Sequence, residues 1–168
     1  HFLRGSKVLQ LQAETAILIP SRRKGEENMQ EITMQQGLEH CPEAKAIREE
    51  VFMKEQGFQV EFDDTDREAW HLVLWQDGKA LATARLYSQG EGVYAIGRVA
   101  VRKEGRGKQL GRAVMEAMEQ KARQLGAKDI QLSAQVQARG FYEKLGYRAY
   151  GQEYLDEHCL HIAMEKTL

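Results

Sequence analysis

Apolar residues recur with a helical period in two segments of the chain. Within residues 39–56 they fall at i, i+3, i+7 and i+8, the positions that one helix face presents. The second stripe begins at Leu110 and runs up to Gly126, a residue suited to ending a helix. A shorter helix is predicted in QARGFYEKLGY, which closes at Gly146. The pattern therefore predicts three helices, two of them amphipathic.

Runs rich in β-branched and aromatic residues predict strands between these helices. Two such runs flank Asp77-Gly78, a pair that tolerates the positive φ angles of a tight hairpin turn. The other strand signals are residues 32–35, GVYAIGRVAVR, DIQLSA, RAYGQEY and CLHIAME. The order is β, α, a three-stranded meander, α, β, α, β, β.

The connections between these elements predict the fold class. A helical crossover from residue 101 to residue 130 should make the flanking strands parallel, whereas the meander and the last two strands should be antiparallel. The expected fold is α/β (α+β): a mixed, mostly antiparallel twisted sheet with a parallel central pair and helices on both faces.

The first 28 residues differ in character from the rest of the chain. A mildly apolar stretch at residues 9–19 is followed by the polar segment SRRKGEEN, which is typical of a linker, and then by Met29. We interpret residues 1–28 as a non-native or upstream extension and residues 29–168 as one domain. The alternative is that residues 1–28 form a genuine amphipathic arm.

Composition and charge exclude several classes of function. The net charge of −1 argues against a protein that grips bulk nucleic acid, and no apolar run reaches the length of a membrane span. Cys41 and Cys159 lack the spacing of a zinc site, so no metal is predicted, and two distant cysteines fit a cytoplasmic protein. The acidic segment GFQVEFDDTDREAW is either a cation site or, as we favour, a solvated turn.

The most informative segment is the basic loop in VAVRKEGRGKQLGRAVMEAM, which joins a strand to a helix. Backbone N–H groups and the helix dipole favour an anion at such a junction, and Gly105, Gly107 and Gly111 allow close approach. Positive charge comes from Arg102, Lys103, Arg106, Lys108 and Arg112. No P-loop string occurs, and a dinucleotide site is disfavoured because Asp129 opens the next strand instead of ending it. A pyrophosphate or phosphorylated cofactor is therefore expected.

The same segment resembles a known family. RVAVRKEGRGKQLGRAVME resembles motif A of the GNAT superfamily of acetyl-CoA-dependent N-acetyltransferases, with Arg106 to Gly111 on the pattern [QR]-x-x-G-x-[GA] and Gln109 at the position where glycine is usual. QVQARGFYEKLGY resembles a second family segment. IREEVFMKEQGF and EYLDEHCLHIAM resemble a bacterial ElaA-like branch. The resemblance covers residues 30–168.

The resemblance implies acetyl transfer from acetyl-CoA to a primary amine of a small molecule or protein, by direct attack through a tetrahedral intermediate. It implies that the β-strand backbone at Val99, Ala100 and Val101 pairs with the pantetheine arm. The Tyr142 phenol would protonate the leaving thiolate. The remaining residues implied to bind the cofactor are Arg106, Gly107, Lys108, Gln109, Leu110, Gly111, Arg112, Gln135 and Phe141.

The general base is not apparent from the motifs. Many family members use a glutamate on the strand before motif A, but the matching position here is Arg98, which we expect to bind an anionic part of the substrate. Glu55 and His161 are the candidate bases, and Glu55 and Gln56 are also candidate substrate contacts. Glu55 could instead pair with Arg48 on its own helix. His71 is expected to be structural.

Two further expectations concern partners. The acidic segment suggests a cationic acceptor, such as a polyamine or lysine, by charge complementarity. Exposed sheet edges would allow a homodimer. The alternative function is a non-catalytic acyl-CoA-binding or protein-interaction domain on the same fold, since a fold does not determine a function.

Overall fold

In a computed structural model, the backbone is described for residues 17–23 and 26–168, and the side chains from Met29 onward. The interpretation of residues 1–28 as an extension falls largely outside the described residues and stays a prediction. No helix in the described part of the chain is long and apolar enough to cross a membrane.

The core of the fold is one mixed sheet. Its described part has eight strands in the order β1-β2-β3-β4-β5-β6-β8-β7, and every neighbouring pair is antiparallel except β5 and β6, which are parallel. This confirms the predicted fold class. The strands are β1 (Ile17–Arg23), β2 (Glu26–Gln36), β3 (Trp70–Gln76), β4 (Lys79–Gly90), β5 (Val93–Val101), β6 (Asp129–Gln135), β7 (Arg148–Asp156) and β8 (Cys159–Thr167).

The polar segment SRRKGEEN is not the linker that its composition suggests. Apart from residues 24 and 25, which lie outside the described residues, its backbone belongs to the antiparallel hairpin of β1 and β2. The strand predicted at residues 32–35 is accordingly longer, because β2 pairs with β3 on its other side from Gln30 to Gln36. Ladder hydrogen bonds are made by the backbone, so a polar sequence can form a strand where a partner strand is available.

The first predicted helix is divided into turns of different pitch. A 3₁₀ turn at Leu38–His40 precedes helix α1 (Pro42–Arg48), and Glu49–Glu55 continues as a π-helix. Pro42 occupies the first turn of α1, where its missing N–H costs nothing. Such π-helical widening often occurs at functional sites, and here it precedes Gln56, which faces the candidate site.

Helices pack on both faces of the sheet, as predicted. Helix α2 (Leu110–Gln124) buries its apolar stripe against Leu72 and Leu74 of β3. Val73, which lies between them on β3, packs in a second group of buried apolar residues that also contains Ile47 of α1. Successive strand side chains point to opposite faces, so β3 alone serves both layers. Helix α3 (Arg139–Lys144) lies near β7.

Candidate active site

Strands β5 and β6 separate in the middle of the sheet. Among the described residues, their parallel pairing runs only from Val93 to Ala95 on β5, opposite Asp129 to Gln131 on β6. Beyond Ala95 the remainder of β5 therefore presents backbone N–H and C=O groups along this edge. An extended ligand can pair with such an edge as an added strand would.

A β-bulge interrupts the regular pairing of the same half of β5 with β4. Thr83 pairs with Ala100 and Arg85 pairs with Gly97, so β5 carries one extra residue between these pairs. Arg98 lies in that interval with a φ of 52°, in the left-handed region, which costs a non-glycine residue about 1–2 kcal/mol. Its guanidinium is anchored on Glu61, with Nε 3.0 Å from Oε1. The sequence pattern did not predict this bulge.

A cleft of about 590 Å³, here called the loop cleft, opens between the basic loop and α3. It contains most of the residues implied to bind the cofactor and Gly105 of the predicted anion loop, together with Ala138, Lys144 and Leu145, which were not predicted. Of the implied cofactor residues, Ala100 and Gln135 line a neighbouring cavity instead, and Lys108 lines neither. The predicted residues that line the loop cleft are Val99, Val101, Arg106, Gly107, Gln109, Leu110, Gly111, Arg112, Phe141 and Tyr142.

The N-terminus of α2 at this cleft has no side-chain cap. Ala113 donates its N–H to the carbonyl of Gln109 at 3.2 Å, and no side chain of Gln109 caps the first turn. The N–H groups at the start of a helix have no intrahelical acceptor, and the helix dipole adds partial positive charge there. This terminus is therefore suited to binding a phosphate group through its backbone.

The glycines of the loop have different roles. Only Gly107 has a positive φ, of 76°. A Cβ on Gly105 would lie 2.9 Å from Cδ1 of Leu110, and one on Gly111 would lie 3.2 Å from Cζ of Phe141, so these two allow close packing. Gln109 adopts φ 60° and ψ 26°, which explains why glycine is usual at this position.

Three of the five basic side chains around the loop are paired with carboxylates. Arg102 pairs with Glu50 at 2.8 Å, Arg106 with Glu55 at 2.8 Å, and Arg112 with Glu116 at 2.9 Å. These carboxylates come from the first helical segment or from the next turn of α2. Backbone N–H groups thus carry more of the anion-binding capacity than the side-chain count suggested.

A second cavity of about 320 Å³, the inner cavity, lies between the π-helical segment and the separated strands. Five residues line both it and the loop cleft, so the two spaces meet at Val99, Val101, Arg106, Ala138 and Tyr142. Apart from Lys108, the structure brings the remaining predicted residues together in the inner cavity: Glu55, Gln56, Arg98, Ala100, Gln135 and His161.

Tyr142 lies where the two spaces meet. It is buried on α3, and its ring makes edge-on contacts with Phe141 and Tyr147 at centroid distances of 5.0 and 6.0 Å. Burial raises the pKa of Tyr142 to about 12. The phenol therefore stays protonated at neutral pH and can act as a hydrogen-bond or proton donor to an anion in the loop cleft.

The geometry of His161 suits a proton acceptor. Its Nδ1 lies 3.0 Å from the carbonyl oxygen of Cys159. A carbonyl only accepts hydrogen bonds, so Nδ1 carries the hydrogen and Nε2 is the basic nitrogen of the neutral ring. The ring stacks on Tyr154 at a centroid distance of 6.0 Å, which holds its orientation. The Tyr154 hydroxyl in turn hydrogen-bonds Ser133, another residue lining the inner cavity.

The polar residues opposite His161 are held in place by each other. Glu55 bonds Arg106 and not Arg48, so the alternative expectation of an ion pair within its own helix is wrong. Gln135 donates from Nε2 to Oε1 of Gln56 at 2.7 Å. The π-helical segment is thus connected both to the basic loop and to the end of β6.

The acidic segment is not a solvated turn. Three carboxylates bind three arginines in a partly buried cluster, here called the ion network: Glu61, Asp63, Asp66, Arg48, Arg85 and Arg98. The alternative of a metal site also fails, because no group of carboxylates, histidines or cysteines among the described residues could hold a metal ion; the cations that these carboxylates bind are the arginines of the chain itself. Arginine inside an apolar strand, as at Arg85, was the available signal, since a buried arginine requires a carboxylate partner.

Electrostatics within the ion network follow from these pairs. Although burial opposes ionisation, hydrogen bonds and charge from Arg48 and Arg85 lower the pKa of Asp66 to about 2. Burial raises the pKa of Glu61, against the attraction of Arg98 and Arg48. Arg98, expected to bind an anionic part of the substrate, is occupied by Glu61 and Asp63 and helps form the cavity wall instead.

His71 is structural, as expected. It is fully buried beneath the network, and Nε2 lies 2.9 Å from the carbonyl oxygen of Asp66. Since that carbonyl can only accept, Nε2 carries the hydrogen. Burial lowers the pKa of His71, so the ring remains neutral beside the arginines at physiological pH.

The site thus combines a separated parallel strand pair, a bulge on one of these strands and an uncapped helix N-terminus beside them. The chain belongs to the acetyltransferase (GNAT) domain family, whose model matches residues 30–168. The uncharacterized N-acetyltransferase YjcF of Bacillus subtilis is 35% identical over 131 residues, which are 76% of this chain and 93% of YjcF.

Solved structures agree with this assignment. An acyl-CoA N-acyltransferase from Pseudomonas aeruginosa is 30% identical, with a TM-score of 0.73 over 82% of this chain and 99% of its own. Escherichia coli ElaA shares the fold, with a TM-score of 0.73 at 24% identity over 82% of this chain and 99% of its own. The resemblance to the GNAT superfamily is thereby confirmed, and ElaA is a relative in fold.

Proposed function

We propose that this protein is an acetyl-CoA-dependent N-acetyltransferase that transfers an acetyl group to a primary amine through a tetrahedral intermediate. The observation that carries the proposal is the meeting of the loop cleft and the inner cavity at Tyr142 and the free edge of β5. The loop cleft suits a phosphorylated thioester, and the inner cavity suits the nucleophile that attacks it.

The residues around the loop cleft fit coenzyme A. When bound, acetyl-CoA supplies an activated acetyl group and a thiolate leaving group. The backbone of Val99 and Val101 would pair with the pantetheine arm, and the N–H groups from Gly107 to Arg112 would hold the pyrophosphate. Phe141 would pack against the cofactor where it lines the cleft. Tyr142 would donate its phenolic proton to the departing sulfur.

The acceptor amine must lose a proton before it attacks. Freeing an ordinary ammonium with pKa near 10.4 at pH 7 costs about 4.6 kcal/mol, so a base is required. Nε2 of His161 is the better candidate, because its tautomer leaves that nitrogen basic. Glu55 would need to leave Arg106 first. The bulge at Arg98 leaves the N–H groups of β5 as candidate donors to the oxyanion.

Calorimetric titration of the full chain with acetyl-CoA, with NADPH as the control, tests this proposal. We expect micromolar binding of acetyl-CoA and none of NADPH. Turnover is then measured with a panel of primary amines, by thiol release and by the mass of the acetylated product. Binding without turnover of any amine would favour the non-catalytic acyl-CoA-binding alternative, and no acetyl-CoA binding would overturn the assignment of the loop cleft.

A further inference from the structure

We propose that the acceptor is a diamine or a comparable dicationic amine, whose second positive charge is bound by Asp156. This inference rests on the proposed function and specifies its substrate class. It follows from where Asp156 lies relative to Tyr142, from the pairing of the other charged groups, and from the aromatic side chains near Asp156.

The first step concerns position. A third cavity of about 240 Å³, the outer cavity, shares Arg98, Ser133, Asp156 and His161 with the inner cavity. Asp156 lines the inner and outer cavities but not the loop cleft, whereas Tyr142 lines the loop cleft and the inner cavity but not the outer one. Asp156 therefore lies on the side of the inner cavity that opens to the outer cavity, and so does His161. A nitrogen held by Asp156 lies outside the loop cleft, where the thioester is proposed to bind, so a second nitrogen of the acceptor is the one acetylated.

The second step concerns charge. The other carboxylates lining these cavities are neutralised, since Glu55 pairs with Arg106 and Glu61 with Arg48 and Arg98. Arg85 also lines the outer cavity, but Asp63 and Asp66 balance it. No described cation pairs with Asp156. Asp156 is therefore the exposed carboxylate of the inner and outer cavities whose charge remains unbalanced. Its negative charge complements one additional cation on the acceptor.

The third step concerns the surroundings of that carboxylate. Tyr154 is opposite His161 in the β7–β8 pair, and Asp156 follows two residues later on the same face of β7. Tyr150 lines the outer cavity, as does Tyr87, whose ring face is covered by the guanidinium of Arg85 at 5.2 Å. Aromatic faces beside a carboxylate attract ammonium and guanidinium groups. His161 lines the same two cavities as Asp156, so the base and the charge-binding residue act along one path.

Two amines of equal chain length test the proposal, because 1,4-diaminobutane and 1-aminobutane differ in the second ammonium group. In the wild-type protein we expect kcat/KM to favour the diamine by about tenfold, because an exposed ion pair of about 1 kcal/mol gives about fivefold and the diamine carries two equivalent amines. Asp156→Asn should reduce this ratio to about two, the statistical factor for two equivalent amines. The control is Glu153→Gln, which removes a charge from the same strand at an exposed residue that lines none of the three cavities and should keep the ratio.

The outcomes separate the two proposals. A ratio of about two or less in the wild-type protein, or an unchanged ratio in Asp156→Asn, would overturn the role of Asp156 while leaving the N-acetyltransferase function intact. Failure of every amine to react, with acetyl-CoA bound, would instead overturn the proposed function. Raised salt should also reduce the diamine preference of the wild-type protein, because an exposed ion pair is screened.

Discussion

Replacement of Asp66 by Asn tests how the ion network supports the wall of the inner cavity. Asp66 accepts hydrogen bonds from Nη1 of Arg48 at 2.7 Å and from Nη1 of Arg85 at 3.0 Å. Its side chain is only 6% exposed, so solvent screens these interactions little. Removing one partner from a buried ion pair costs about 3–5 kcal/mol. Since Arg48 retains Glu61 and Arg85 retains Asp63, we expect the free energy of unfolding of Asp66→Asn to be lower by about 3 kcal/mol at pH 7.

The pH dependence of the free energy of unfolding gives a second, independent value for the stabilisation contributed by Asp66. The pKa of Asp66 falls from 3.8 to about 2 on folding, which corresponds to about 2.4 kcal/mol of stabilisation when the carboxylate is ionised in both states. Because the folded pKa is the lower one, this stabilisation is present above the unfolded pKa and is lost as the pH falls toward 2. About half of it should be gone at pH 3. The contribution of Glu61 to stability changes with pH in the opposite direction, since folding raises its pKa.

Urea unfolding of the wild-type protein and Asp66→Asn at pH 7 and pH 3 measures both quantities. The difference in unfolding free energy should shrink by about 1 kcal/mol at pH 3, which separates Asp66 from the other titrating groups. Asp64→Asn is the matched control, because Asp64 is an exposed neighbour outside the network, and it should change stability by less than about 0.5 kcal/mol. An equal difference at both pH values would refute the argument that Asp66 is ionised and stabilised by the arginines.

Three further predictions concern the active site. Tyr142→Phe should lower kcat at least about tenfold while acetyl-CoA affinity stays within about twofold, because only the phenolic donor is lost; steady-state kinetics and calorimetry measure this. His161→Gln should remove the acidic limb of the pH–rate profile if Nε2 accepts the amine proton. Gln109→Gly should raise the unfolding free energy by about 0.5–1 kcal/mol in urea denaturation, because glycine adopts the left-handed conformation without a Cβ penalty.

Each of these has a contrary result. Unchanged turnover in Tyr142→Phe would reject its role as donor. An unshifted acidic limb in His161→Gln would reject His161 as the general base and favour Glu55. A less stable Gln109→Gly protein would show that the loop is not strained at this residue. Circular dichroism of each variant, compared with the wild-type protein, establishes that the fold is retained.

Local features of the sequence were sufficient to predict most of the residues that line the loop cleft. The helical period before and after the basic loop, and the glycines between strand and helix, indicate an uncapped helix N-terminus without reference to distant residues. The motif around Phe141 and Tyr142 likewise lies within one short segment. Helix periodicity and backbone conformation depend on neighbours a few residues away, so one segment of sequence carries this information.

The arrangement of charges around the inner cavity depended on tertiary structure. The partners of Arg98 and Arg106 are Glu61 and Glu55, which lie 37 and 51 residues away along the chain. The bulge in β5 and its separation from β6 arise from pairing with two different strands. No local pattern specifies which charges meet across such separations, because the meeting follows from how the whole sheet and its helices pack. The sequence by itself therefore determined the family and the position of the candidate anion-binding loop, and only the tertiary structure decided which charged groups around the inner and outer cavities remain unbalanced.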